Sequence, residues 1–407
     1  MKKALTIISK FIFENYMWFL LFNGLVFITI KKLAIFEYLT FPLIGYILFL
    51  KYGKNRKKIN LLDFFFIILI IWTFITWAIN LFEIKPILII RHLISQVAFM
   101  LFYYIGRNYE KNINVFFKNA FIPLFICSII GIYWYFFPPG WYMYYILSSD
   151  SFSGSNNCFL ELSRLRSFYP SPYEMAYMSC IVSIYIVYLL TKDTILNKYE
   201  KIMFITFLIT LILCMMRAPI LIFIICSSIL ILKNFSFKKT IIIIPSIIVL
   251  ITIITTYCIS FLDNNTYSFF YQKFSSVVDN IDGLLISRIN MMTGGVDFSL
   301  LGDGAGKHAL HASKYGEISI NDSEYVKYMV EQGYIGLTLF ILLILVSFYK
   351  AIKNFKFLSF EFCILLFYTA TMIGANSIST ADKHCFIFWL IIGRISSFNK
   401  NKKLLYI

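Results

Sequence analysis

Charge is what this chain has least of. Only 14% of its 407 residues are charged and 59% are hydrophobic, whereas soluble domains carry about 25% charged residues. With a mean hydropathy of +0.76, that deficit excludes a water-soluble globular enzyme and points to an all-α polytopic integral membrane protein. A disulfide or metal framework is missing as well. The eight cysteines (Cys127, Cys158, Cys180, Cys214, Cys226, Cys258, Cys363 and Cys385) lie almost all inside apolar runs, and no two form a CxxC pair. They read as small core residues. No A-x-A cleavage site follows a short apolar region near the start, so the first apolar run is expected to stay as a span. There is no repeat of fixed period, no low-complexity tract beyond the Ile-rich runs, and no visible inverted repeat of the transporter kind.

What is present is a series of apolar runs. A helix that crosses the hydrocarbon core needs about 20 mostly apolar residues. Twelve candidates fit: about 11–30, 34–50, 61–82, 86–106, 116–137, 173–191, 202–216, 218–232, 240–262, 333–349, 358–376 and 383–398. The seventh and eighth are short and abut at Arg217, so a tight hairpin is expected there. The chain is read as one integral membrane domain, 1–407.

A net charge of +16 suggests nucleic acid in a soluble protein. Here basic residues mark cytoplasmic loops instead. With the N-terminus inside, inner segments hold Lys51, Lys54, Arg56, Lys57 and Lys58, then Lys233, Lys238 and Lys239, then Lys400, Lys402 and Lys403. Outer connections are poor in lysine, apart from Lys31 and Lys32. The pattern predicts both termini in the cytoplasm and no nucleic-acid partner.

Two outer connections are long, about 138–172 and 263–332, the second falling between spans 9 and 10. Long loops in a compact protein are often functional. Aromatic residues crowd their edges: Trp134, Tyr135, Trp141, Tyr142, Tyr144 and Tyr145 at the first, and Tyr267, Phe269, Phe270 and Tyr271 at the second. Two readings stand, an interfacial aromatic belt and a surface on which sugars stack.

Four arginines at or near apolar runs fall on the outer side: Arg91, Arg166, Arg217 and Arg288. Intramembrane arginine is costly and by default suggests function. A guanidinium never deprotonates and pairs phosphate oxygens bidentately, so the cluster suits a diphosphate. The alternative for each alone is snorkelling or an internal ion pair. Arg394, near the inner end of the last run, is expected to snorkel.

The second loop supplies acids, Asp303, Asp322 and Glu324, able to act as a base or to bind a sugar hydroxyl. His308 and His311 lack clear third and fourth ligands, so no metal site is expected. Gly302 to His308, GDGAGKH, has the glycine density of a P-loop but neither its spacing nor a Ser or Thr after Lys307. Paired DxD acids, used by many multi-span glycosyltransferases to hold a metal, are absent from the early outer loops.

Four local patterns together resemble the bacterial O-antigen polymerase and ligase superfamily, the Wzy-type polymerases and their ligase relatives. ISR followed by FSLLGDGAG is similar to the family's start of a large outer loop. NDSEYVKYMVEQGYIGLTLF, Asn321 to Phe340, is similar to its entry into the next span. RSFYPSPYEMAYM, Arg166 to Met178, resembles an earlier span entry, and CMMRAPILIF a turn bearing arginine. The patterns cover under a fifth of the chain. Ligases of this family carry a His where this chain has Asp322, which favours a polymerase.

The resemblance implies a glycosyltransferase of O-antigen (lipopolysaccharide) or capsule biosynthesis in the bacterial cytoplasmic membrane. It would join oligosaccharide repeats carried on undecaprenyl diphosphate at the outer face, without metal or cofactor. The implied catalytic residues are Asp322, Arg217 and Arg288. Arg91, Arg166, Glu324, Tyr325 and His308 would bind diphosphate or sugar. Membrane lipid, a flippase and a chain-length regulator are the implied partners. A ligase-like transferase, a twelve-span flippase or exporter and a membrane scaffold are the other readings.

Overall fold

The computed structural model describes residues 11, 12, 14–16, 18, 45, 46, 59–108, 113–142, 164–169, 171–192, 194–234, 298–309, 312–320, 323–378 and 384–398. The expected spans 34–50 (but for two residues) and 240–262, and most of both long connections, lie outside them, as do Arg288, His311 and Asp322. The chain divides into two compact units, Met1–Ser227 with Phe298–Ile407, and Ser228–Asp297. Only residues 228–234 of the second are described.

The described residues form helices and no strand. In chain order these are α1 (Leu61–Ile79), α2 (Pro86–Asn108), α3 (Asn114–Phe136), α4 (Pro172–Leu190), α5 (Lys198–Leu213), α6 (Arg217–Asn234), α7 (Glu324–Lys353), α8 (Phe355–Thr371) and α9 (Cys385–Ser397). Each falls on one of the expected apolar runs. Polar start signals set their beginnings. Asn60 with Asp63 and Asn197 with Glu200 form capping boxes for α1 and α5. Ser171 caps α4 ahead of Pro172, and Ser323 caps α7. Such side chains satisfy N–H groups that a first turn leaves without intrahelical partners. Helices α1, α2, α3, α4 and α7 are long and apolar enough to cross a membrane. This is a helical, membrane-embedded fold.

Chain direction alternates from α1 to α6 and resumes from α7 to α9. The start of α1 meets the ends of α2, α7 and α9 through Asp63, Arg107, Lys350 and Ser396. The end of α1 meets residues 302–305 through Asn80 and Trp77. Tyr177, early in α4, meets His384 at the head of α9 and Phe367 late in α8. Helices α4 and α9 are buried almost throughout. By contrast α1 and α7 expose apolar side chains, among them Phe64, Ile71, Phe74, Leu345 and Tyr349, which suits a lipid-facing surface. Six cysteines, all but Cys158 and Cys258, are buried.

Two expectations are corrected. The second long connection ends before residue 332, because α7 starts at Glu324. Glu324 and Tyr325 therefore lie on a helix rather than in a loop. Its polar first turns hide a helix in a hydropathy reading, since they are buried against protein instead of lipid. Arg394 does not snorkel: its Nε donates to Glu361 Oε1 at 3.1 Å, and both side chains are buried.

Helix α7 breaks at Gly333, whose φ is 70°. A break exposes backbone groups that the membrane interior cannot hydrate. Residues 299–304 satisfy them. Asp303 N donates to Val330 O and Gly304 N to Glu331 O, both at 2.9 Å, while Tyr334 N donates to Ser299 O. The strands of backbone are so close that a Cβ at Gly302 would lie 2.4 Å from Gly333 N. Here glycine serves close approach and left-handed backbone, which explains the GDGAG string without nucleotide chemistry.

Candidate functional site

All six described candidates, Arg91, Arg166, Arg217, His308, Glu324 and Tyr325, lie at one end of the helices, here called the loop end. They fall into two groups.

The first group surrounds Arg166 and Arg217. The segment Arg164–Tyr169 is wedged against α3, where a Cβ at Gly131 would meet Ser167 and Leu165 below 3 Å. Ser167 Oγ donates to Cys127 O at 2.6 Å. Leu165 N donates to Leu213 O at 3.1 Å, and Cys214 Sγ to Leu165 O. The segment is thus clamped to the Cys214–Met216 turn that joins α5 to α6. Arg166 is buried at 3% exposure. Arg217 is exposed and is the first residue of α6, where the positive end of a helix dipole adds to its charge. Among the described residues, two non-glycines have left-handed backbone: Ser167 at φ 57° and Met215 at φ 55°. Each sits within two residues of one of these arginines, and the two turns touch. Strained backbone clusters at functional sites because surrounding structure must hold it in place.

The second group lies under residues 298–320. Arg91 is half-buried, with its guanidinium 5.2 Å from the Tyr315 ring centre. Both ring nitrogens of His308 are engaged within the loop, Nε2 at 3.2 Å from Asp303 Oδ2 and Nδ1 at 2.7 Å from Ile318 O. Its backbone N–H donates to Glu331 Oε1 at 2.9 Å. Glu324 Oε2 accepts from Ile378 N at 3.1 Å, and Tyr325 OH donates to Thr369 O at 3.1 Å. In this state His308, Glu324 and Tyr325 hold loop and helices together. None of the contacts described joins Arg91 to Arg166 or Arg217.

Sequence reading passed over several buried polar residues here. Lys327, Tyr328 and Glu331 are all buried, and their spacing places them on one helical face with the candidate Glu324. Gln96 donates to Tyr328 OH at 2.9 Å from the π-helical turn Leu93–Val97 of α2. π-turns appear frequently at functional sites. His92 and Lys327 are each 1% exposed, and the Lys327 ammonium has no hydrogen-bond partner among the described residues. His384 is fully buried, its ring against Tyr177 and Tyr368 and its nitrogens likewise without hydrogen bonds. The signal for Lys327 and Glu331 was the 3.6-residue period, present but masked by their placement in a loop.

Among the described residues no three His, Cys, Asp or Glu converge as metal ligands would. The loop end therefore offers an exposed arginine at a helix head, a buried arginine beside it and a clamped glycine loop. No protein-family model matches this chain, and no curated protein matches it in sequence.

Proposed function

We propose that this protein is a polysaccharide polymerase. It joins oligosaccharide repeats carried on undecaprenyl diphosphate at the outer face of the bacterial cytoplasmic membrane. The loop end then faces outward, both chain termini lie in the cytoplasm, and the product is O-antigen or capsule.

The observation that carries this reading is the clamp between two strained turns, Ser167 beside Arg166 and Met215 beside Arg217. It fixes one buried and one exposed cation at the end of membrane-embedded helices. A glycosyl diphosphate needs that pairing. A hydroxyl of one repeat attacks the anomeric carbon of another, the bond from that carbon to the diphosphate oxygen breaks, and the electron pair leaves with the diphosphate. Arg217 contacts the leaving group, with the α6 dipole behind it, and Arg166 adds positive potential from beneath. Positioned cations where charge develops are worth about 10²–10³ in rate. The lipid tail lies between helices, and the sugars lie under the polar connections. Asp322 and Arg288, outside the described residues, are assigned the proton and a further phosphate contact. The transfer needs no metal in this scheme.

The test is the surface glycan profile on a gel for a strain carrying Arg217→Ala, with membrane expression verified. Collapse of a ladder to one repeat supports the polymerase. Loss of all surface glycan points to a ligase or flippase, and an unchanged ladder removes Arg217 from the site.

A further inference from the structure

The aromatic residues at the loop end of α3 are not spread as a belt. The Pro138–Pro139–Gly140 turn folds back so that Tyr142 N donates to Pro139 O at 2.9 Å. This brings Trp141 edge-on to Trp134, with ring centres 5.1 Å apart and planes at 89°. Trp134 is also packed by Tyr142 at 4.6 Å and by Phe168 at 5.0 Å. Tyr142 and Phe168 are buried, whereas Trp141 is 52% exposed. Ring packing on three sides, edge-to-face from Trp141 and Phe168 and tilted from Tyr142, fixes an aromatic ring, so Trp134 is a rigid base and Trp141 a half-open indole set against it.

This pile leads to Arg166. Burial pushes the Tyr142 phenol up from its ordinary pKa, and the Arg166 cation acts on it in the opposite direction. Phe168 and Arg166 belong to the same clamped segment. The Cys214 thiol, in the turn that ends at Arg217, donates to Leu165 O, next to Arg166 in the chain. Exposed aromatic face, buried cation and exposed arginine are therefore neighbours within one clamped unit.

We propose that Trp141, held by Trp134, is a sugar-binding platform for the lipid-linked repeat, reading the pyranose rings next to the diphosphate. This rests on the polymerase reading above. A pyranose has an apolar C–H face that suits the negative face of an indole, and its anomeric end here carries two phosphates, which suit arginine. An interfacial anchor needs only an apolar body and a polar tip at headgroup level. It needs neither a fixed ring nor a buried cation behind it. Tyr133, 61% exposed on the last turns of α3 and paired only with Phe137 among the ring contacts described, has the simpler arrangement and serves as the comparison.

The experiment uses full-length protein in nanodiscs and two radiolabelled probes: undecaprenyl diphosphate, and the undecaprenyl-diphosphate-linked repeat extracted from the producing strain. Trp141→Ala is expected to weaken binding of the repeat-bearing lipid roughly tenfold and to leave bare undecaprenyl diphosphate unchanged. Trp141→Phe, which keeps a ring, is expected to restore most of the loss, and Tyr133→Ala to change neither probe. Equal weakening of both probes by Trp141→Ala, or of neither, overturns the platform and makes Trp141 an interfacial anchor. Wild-type protein that binds neither probe overturns the polymerase reading itself.

Discussion

The two ends of the helices differ in how they hold buried ionisable groups. At the end away from the loop, the buried charges are paired. Arg107 Nη2 lies 2.7 Å from Asp63 Oδ2, and Tyr103 OH donates to Asp63 Oδ1 at 2.6 Å. Asn60 and Lys350 both donate to Ser396 O, and Arg394 pairs with Glu361. Close contact of α2 with α9 makes this possible. A Cβ at Gly106 would lie 1.9 Å from Leu390 O, and one at Gly393 2.0 Å from Tyr103 O. At the loop end, Lys327 and His384 are equally buried, but the ammonium and the ring nitrogens have no hydrogen-bond partner among the described residues. Matched groups fix how helices register. Unmatched ones cost stability, by about 1–3 kcal/mol each and more for a charge, and persist where function requires them.

The largest effect is expected at the matched end. Arg107→Ala leaves Asp63 charged and buried, and should lower stability by about 3–5 kcal/mol, read as lost folded yield and a lower unfolding midpoint in detergent. The double change Asp63→Leu with Arg107→Met should recover most of that, because apolar residues of similar volume often replace a buried pair without loss. If the single change is harmless, this end is no lock.

Lys327→Met should act with the opposite sign. Removing an ammonium that has no hydrogen-bond partner among the described residues is expected to leave the unfolding midpoint unchanged or higher, while glycan chains on the cell surface shorten. A fall in midpoint comparable to that of Arg107→Ala would erase the contrast between the ends. The smallest effect is expected for Tyr315→Leu, which takes the ring from Arg91 and should cost about 0.5–1 kcal/mol, seen as earlier proteolysis of the 298–320 segment.

Much of this was legible in the sequence. The apolar runs locate α1 to α9 because the membrane demands long stretches with few charges, whereas the caps Asn197 and Ser323, which start α5 and α7 ahead of those runs, were not read. Arg166 and Arg217 stood out since arginine is rare in such surroundings. The first turns of α7 were not legible as helix, as Glu324, Lys327 and Glu331 read as loop when charge is equated with solvent. Nor was the role of Arg394, since its partner Glu361 is far away in sequence and only packing brings the two together. The glycines at 302, 304 and 306 stood out by their density, but nothing in the sequence showed that they pack against the break at Gly333.

The most direct measurement is polymer growth by the purified protein in nanodiscs, supplied with the extracted lipid-linked repeat in the presence of EDTA. Wild-type protein and the Glu361→Leu, Arg394→Met double variant should both yield glycans longer than one repeat and release undecaprenyl diphosphate. Arg217→Ala, folded and bound to lipid, should reduce that growth about 10²–10³-fold. Folded wild-type protein that elongates nothing, or Arg217→Ala protein that elongates as fast as wild type, would contradict the assignment of the loop end as the catalytic end.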